Sequence, residues 1–76
     1  MSKYHPLNEY LSSIYGNYLK LSYKQVEKII SDKLPPSAFK YREWWANGGH
    51  IQANAWLEAN WKVKSVILGE YVEFVK

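Results

Sequence analysis

Trp61-Lys62-Val63-Lys64-Ser65-Val66-Ile67-Leu68-Gly69-Glu70-Tyr71-Val72-Glu73-Phe74-Val75-Lys76 is the stretch on which the fold turns. Two runs of β-branched and aromatic residues flank Gly69-Glu70, which is the pattern of a β-hairpin. With Gly69-Glu70 as a two-residue type II′ turn, Leu68 faces Tyr71, Ile67 faces Val72 and Ser65 faces Phe74. That register puts Trp61, Val63, Ile67, Val72 and Phe74 on one face of the hairpin. Lys62, Lys64, Val66 and Glu73 fall on the other.

Upstream of the hairpin the period changes from two to that of a helix. His50 to Ala59 reads as a short helix with Ala53, Trp56 and Leu57 inward and Asn60 as its terminator. Before it, a helix opens at Pro36 or Ser37, carries Ala38, Tyr41, Trp44 and Trp45 on one face, and stops at Asn47-Gly48-Gly49. Leu34-Pro35-Pro36 is expected to end the preceding helix, because neither proline donates a backbone hydrogen bond.

That preceding helix has a complete start. Ser22 is the N-cap, Gln25 its capping-box partner, and Leu21 with Val26 a hydrophobic staple. Val26, Ile29 and Ile30 are its buried stripe. Tyr18-Leu19-Lys20-Leu21 is too short for a helix and reads as a strand. The first helix carries Leu7, Tyr10, Leu11, Ile14 and Tyr15 at i, i+3, i+4, i+7 and i+8 and stops at Gly16-Asn17.

The expected architecture over residues 1–76 is therefore one α+β domain. It has three to four helices, a short strand and a C-terminal β-hairpin, the strands forming a small antiparallel sheet. Apart from an extra helix before the hairpin, this is the element order of a winged helix, with the hairpin as wing.

At 76 residues the chain has to build a dense core, and four Trp, seven Tyr and two Phe supply it without disulfide or metal. No cysteine is present, which removes disulfide frameworks, thiolate zinc sites and cysteine nucleophiles, and suits a reducing compartment. With no apolar leader at Met1 to Pro6 and no span of membrane length, a cytoplasmic location and no membrane association are expected.

Catalytic constellations are thin. His5 sits at the start, His50 lies beside Gly48-Gly49, and the seven carboxylates are spread along the chain at positions that read as exposed. Neither a metal-ligand spacing nor a phosphate loop occurs, so no enzyme activity, metal or cofactor is expected.

Binding is the better expectation. The formal net charge is +3 and the isoelectric point about 9.2, a balance that favours polyanions without requiring them. The segment from Lys40 to Trp56 mixes aromatics with donors. Arg42, Asn47, His50, Gln52 and Asn54 are candidates to reach bases, since Arg pairs with guanine and Asn or Gln with adenine. Lys40, Lys62 and Lys64 are candidates for phosphates. Each also has a plainer reading: the tryptophans as core, the amides as helix terminators, the two strand lysines as guards against edge pairing.

The run Pro35-Pro36-Ser37, then Arg42-Glu43-Trp44-Trp45-Ala46-Asn47, then Gln52-Ala53-Asn54-Ala55-Trp56-Leu57, resembles a family of short uncharacterised bacterial domains. The resemblance extends back to Tyr4, Pro6-Leu7 and Tyr10-Leu11. It implies a small binding module, without naming a ligand.

Taken together, the sequence points to a non-catalytic nucleic-acid-binding module, DNA favoured over RNA, that docks a helix from residues 37–59 and lays the hairpin along the backbone. The alternative is a protein-interaction or regulatory module using exposed Trp and Tyr. A small pocket for a flat ligand, lined by Tyr41, Trp44 and Trp56, is a third reading.

Overall fold

The computed structural model describes residues 3–76. Its elements run α1 (His5–Ser12), β1 (Tyr18–Ser22), α2 (Tyr23–Ile30), α3 (Pro36–Lys40), a 3-10 turn (Arg42–Trp45), α4 (Ala53–Leu57), β2 (Lys62–Ile67) and β3 (Tyr71–Val75). The strands form one antiparallel sheet in the order β1-β3-β2. This is the α+β class expected, with the short early strand completing the sheet against the C-terminal hairpin.

Helix α1 buries Leu7 and Leu11, as the spacing predicts, but it ends at Ser12. Tyr15, expected on the buried stripe, is fully exposed. The reason lies at the Leu11 carbonyl. In a continuing helix it would accept from the Tyr15 N–H. Here it accepts from the buried Trp61 Nε1 at 2.9 Å and from the Ile14 N–H at 3.2 Å. The chain then turns through Gly16, at φ +108°, into β1. His5 belongs to the first turn of α1, with Nε2 3.8 Å from Glu9 Oε1.

The start of α2 is as the sequence specifies. Ser22 Oγ accepts from the Gln25 N–H at 3.1 Å, and Gln25 Oε1 accepts from the Ser22 N–H at 2.8 Å. Leu21 and Val26 are both buried. Its end differs from expectation, because Ser31 at φ +56° stops the helix ahead of the prolines. The Asp32 N–H bonds back to the Glu27 carbonyl at 3.2 Å and the Ser31 N–H to Lys28 at 3.3 Å, a Schellman-type closure that satisfies the last turn.

The largest correction concerns the third helix. It is broken at Tyr41, whose backbone is extended (φ −124°, ψ 125°), into α3 and the 3-10 turn. The Ala38 carbonyl, which a continuous helix would bond to the Arg42 N–H, accepts instead from Tyr23 Oη at 2.6 Å and Trp45 Nε1 at 3.1 Å. Trp45 Nε1 also lies 2.9 Å from Tyr23 Oη. Two side-chain donors therefore replace one backbone donor. Tyr41 faces solvent at 58 % exposure, apart from the buried Trp45.

Helix α4 is the core of the short helix predicted over 50–59. Asn60, in the left-handed region at φ +66°, closes it, with the Trp61 N–H bonding back to the Trp56 carbonyl at 2.9 Å. The hairpin exists, but its register is shifted from the predicted one. Ile67 pairs with Tyr71, Val66 with Val72 and Ser65 with Glu73, and an irregularity between Val63 and Ser65 sets Val63, in place of the expected Ser65, opposite Phe74. The connection is Leu68-Gly69-Glu70, closed by the Glu70 N–H on the Ile67 carbonyl at 2.9 Å, with Gly69 at φ +81° in the third turn position. That position and sign of φ are those of a type II turn. In consequence Val66 points into the core and Ile67 outward, the reverse of the expected faces.

Trp45, Trp56, Trp61 and Phe74 are among the most buried side chains. Trp45 stacks on Trp56 at 5.8 Å between centroids, Trp56 meets Phe74 at 5.9 Å, and Tyr23 meets Trp45 at 5.3 Å. An aromatic side chain removes about 150–250 Å² from water, roughly 4–6 kcal/mol gross at ~25 cal/mol/Å². This cluster is what allows so short a chain to fold without covalent staples.

Candidate nucleic-acid interface

Because β3 is the middle strand, β2 has a free edge, and residues 42–47 run along it. Arg42 donates from Nη1 to the Val66 carbonyl at 2.8 Å. Asn47 acts as a single-residue strand partner: Nδ2 donates to the Val63 carbonyl at 3.0 Å and Oδ1 accepts from the Val63 N–H at 2.8 Å. The same Oδ1 accepts from Trp56 Nε1 at 3.2 Å. Gln52 is 6 % exposed and donates to the Trp44 carbonyl at 2.9 Å. Three of the donor side chains singled out from sequence therefore hold the fold, two of them by covering an edge that would otherwise invite another strand.

The remaining candidates are exposed but dispersed. Lys40 ends α3. His50 lines a cleft of about 420 Å³ with Ser37, Tyr41, Glu43, Trp44 and Gln52. Asn54 lines another, of about 260 Å³, with His5, Asn8 and Glu58 among its walls. Lys62 and Lys64 border neither cleft and stand on β2.

They have company there that the sequence did not reveal. Reading across β1-β3-β2, the outward rows of the sheet are Tyr18, Val75 and Lys62; Lys20, Glu73 and Ser65; and Ser22, Tyr71 and Ile67. None of these nine is buried. Glu73, in the middle, accepts from the Ser65 and Tyr18 hydroxyls. The Ser65 hydroxyl first and the Tyr18 hydroxyl second hold its carboxyl below the usual range, with Lys64 and Lys20 adding to the effect. The bond to Glu73 is also the main cause of a raised Tyr18 pKa. Lys20 Nζ stands 4.6 Å from the Tyr71 ring centroid. The outward face thus sets Lys20 and Lys64 about one carboxylate, with Lys62 in the neighbouring row. Strand alternation in Tyr18-Leu19-Lys20-Leu21 points Lys20 outward, but only the pairing with β3 brings it beside Lys64.

Residues 4–76 match the family described as Domain of unknown function (DUF7662). The chain belongs to the DUF7662 family. Comparison with curated proteins and with solved structures finds no match. The motif stretches by which the sequence resembles a family have structural roles in this DUF7662 domain. Pro36 starts α3, Arg42 and Asn47 cover β2, and Gln52 and Trp56 pin α4.

The pocket expected from Tyr41, Trp44 and Trp56 exists only in part in the DUF7662 domain. Tyr41 and Trp44 line the cleft that holds His50, whereas Trp56 is wholly buried and does not line it. Among the described residues no three His, Asp or Glu side chains cluster as metal ligands would, and no helix is long and apolar enough to cross a membrane.

Proposed function

We propose that this DUF7662 domain is a non-catalytic nucleic-acid-binding module that holds phosphates on the open face of its sheet. The observation that carries the reading is the placement of Lys20 and Lys64 about the carboxylate of Glu73, with Lys62 on the same face one row away. Lysines on a stiff sheet position a polyanion without reading its sequence. The net charge of +3 adds long-range attraction.

The order of elements and the strand order β1-β3-β2 are similar to those of winged-helix domains, which supports a DNA partner over RNA. A helix from residues 37–59 would contribute differently from a long recognition helix, since α3 and α4 are five residues each. Among the candidates there, Lys40, His50 and Asn54 are exposed and carry none of the hydrogen bonds that tie Arg42, Asn47 and Gln52 to the fold. Arg42, Asn47 and Gln52 act by shaping the surface.

The test is fluorescence anisotropy with a labelled duplex at 50 and 200 mM salt, comparing the wild type with Lys62→Glu/Lys64→Glu. If both lysines contact phosphates, affinity falls and the slope of log K against log salt loses about two units. Unchanged affinity and slope would remove the sheet lysines from the interface.

A protein-interaction role is the second reading, favoured by the exposure of Phe39, Tyr41, Ile51 and Ile67. Self-association that rises with concentration, and is lost in Tyr41→Ser/Ile51→Ser, would support it.

A further inference from the structure

The lysine face also carries two tyrosines. Tyr18 on β1 is 51 % exposed and Tyr71 on β3 half-buried, and both belong to the outward rows. Tyr18 pairs with Val75, four positions along β3 from Tyr71. At ~3.3 Å per residue and ~4.8 Å between strands, the two side chains stand about 14 Å apart on one surface. That spacing accommodates two stacked bases with an intervening nucleotide.

Resting on the nucleic-acid reading above, we propose that the preferred polymer is single-stranded, with bases stacked on Tyr18 and Tyr71 and the backbone followed by Lys20, Lys62 and Lys64. Several observations converge on it. Duplex recognition uses an element that enters a groove, whereas this face is an open surface of three strands. Aromatic rings on such a sheet, rimmed by cations, form a stacking platform that only unpaired bases can use. Lys20, now above the Tyr71 ring, is placed to exchange that ring for a phosphate and free the ring for a base. Glu73 lies between the tyrosines with its carboxylate ionised and acceptor-only, chemistry that suits an exocyclic amine of cytosine or adenine on the intervening nucleotide.

The experiment is an anisotropy titration at 100 mM salt with three labelled probes. These are a 12-nucleotide DNA strand of mixed C, A and T, its RNA counterpart, and the same DNA annealed to its complement. At least one single strand is expected to bind tenfold or more tightly than the duplex. Tyr18→Ala and Tyr71→Ala should each weaken it by about 5- to 150-fold, the range for one stacked base. Phenylalanine at either position should rescue the loss, which separates stacking from the Tyr18 hydrogen bond and from misfolding. Tyr15→Ala, altering a fully exposed ring outside this face, should have no effect. A duplex bound as tightly as either single strand, with no loss in the alanine variants, would overturn the proposal while leaving phosphate binding by the lysines intact. Failure of all three probes to bind would overturn both.

Discussion

Replacing Asn47 by alanine removes three hydrogen bonds at once, and the structure allows the cost to be worked out. The two bonds to the Val63 backbone lie at an exposed strand edge where water can replace them, so each contributes about 0.5 kcal/mol, the low end of the net range. The third partner, Trp56, is wholly buried, and its Nε1–H would be left without an acceptor. An orphaned buried donor costs about 1–3 kcal/mol. The sum is about 2–4 kcal/mol, which for a domain of this size lowers Tm by roughly 10–30 °C. Urea unfolding followed by tryptophan fluorescence should show the midpoint falling with an unchanged m-value. Asn47→Asp keeps both acceptor bonds and should fall between wild type and alanine. The reasoning is refuted if Asn47→Ala unfolds within about 0.5 kcal/mol of wild type, a loss typical of surface changes that touch no special feature. Loss of nucleic-acid affinity at full stability would instead make Asn47 a reader of bases.

Two further expectations concern pH and the end of α2. Glu73 has a depressed pKa, so its contribution is present above the unfolded value of about 4.3 and disappears as pH falls through the folded one. Tyr18 has a raised pKa, so its contribution is present below about 10 and disappears as pH rises through the folded value. Asp32, lowered first by the Lys33 N–H, and Tyr23, raised by burial, add to the acid and alkaline limbs respectively. Glu73→Gln should therefore flatten both limbs of a urea-midpoint profile partially and together; a profile identical to wild type would mean the hydroxyl–carboxylate bonds do not form in solution. Ser31→Gly should raise stability by roughly 0.5–1 kcal/mol, because the left-handed backbone there penalises a side chain. A lower urea midpoint would show that the serine side chain contributes more than its backbone strain costs.

Features encoded by neighbours along the chain were legible in the sequence. The capping box of Ser22 and Gln25, the Leu7 and Leu11 face and the existence of a hairpin all rest on residues within a few positions of one another. What escaped was decided across the fold. Tyr41 reads as helical until Tyr23 and Trp45 take the Ala38 carbonyl, and Tyr15 reads as buried until Trp61 takes that of Leu11. The irregularity at Val63 and Ser65 follows from no turn residue, yet it decides which of Val66 and Ile67 is inside. At the candidate site the residue types were informative and their partners were not. Arg42 and Asn47 have the donor chemistry that suits bases, and a bare strand edge makes the same demand. Lys20 joined Lys64 only through a strand far away in sequence.

The position of β3 between β1 and β2 bears on how the chain comes to be folded during synthesis. The first two strands make no ladder with each other, so each waits for the last one. A nascent chain that has emerged only as far as Glu70 has two orphan strands and a tryptophan cluster lacking Phe74, one of its walls. Loop closure between β1 and β3 spans most of the molecule, so the decisive step is late and long-range. Sheet assembly therefore has a single gate: neither pairing can form until Tyr71–Val75 is available, and truncation ahead of Tyr71 removes both together.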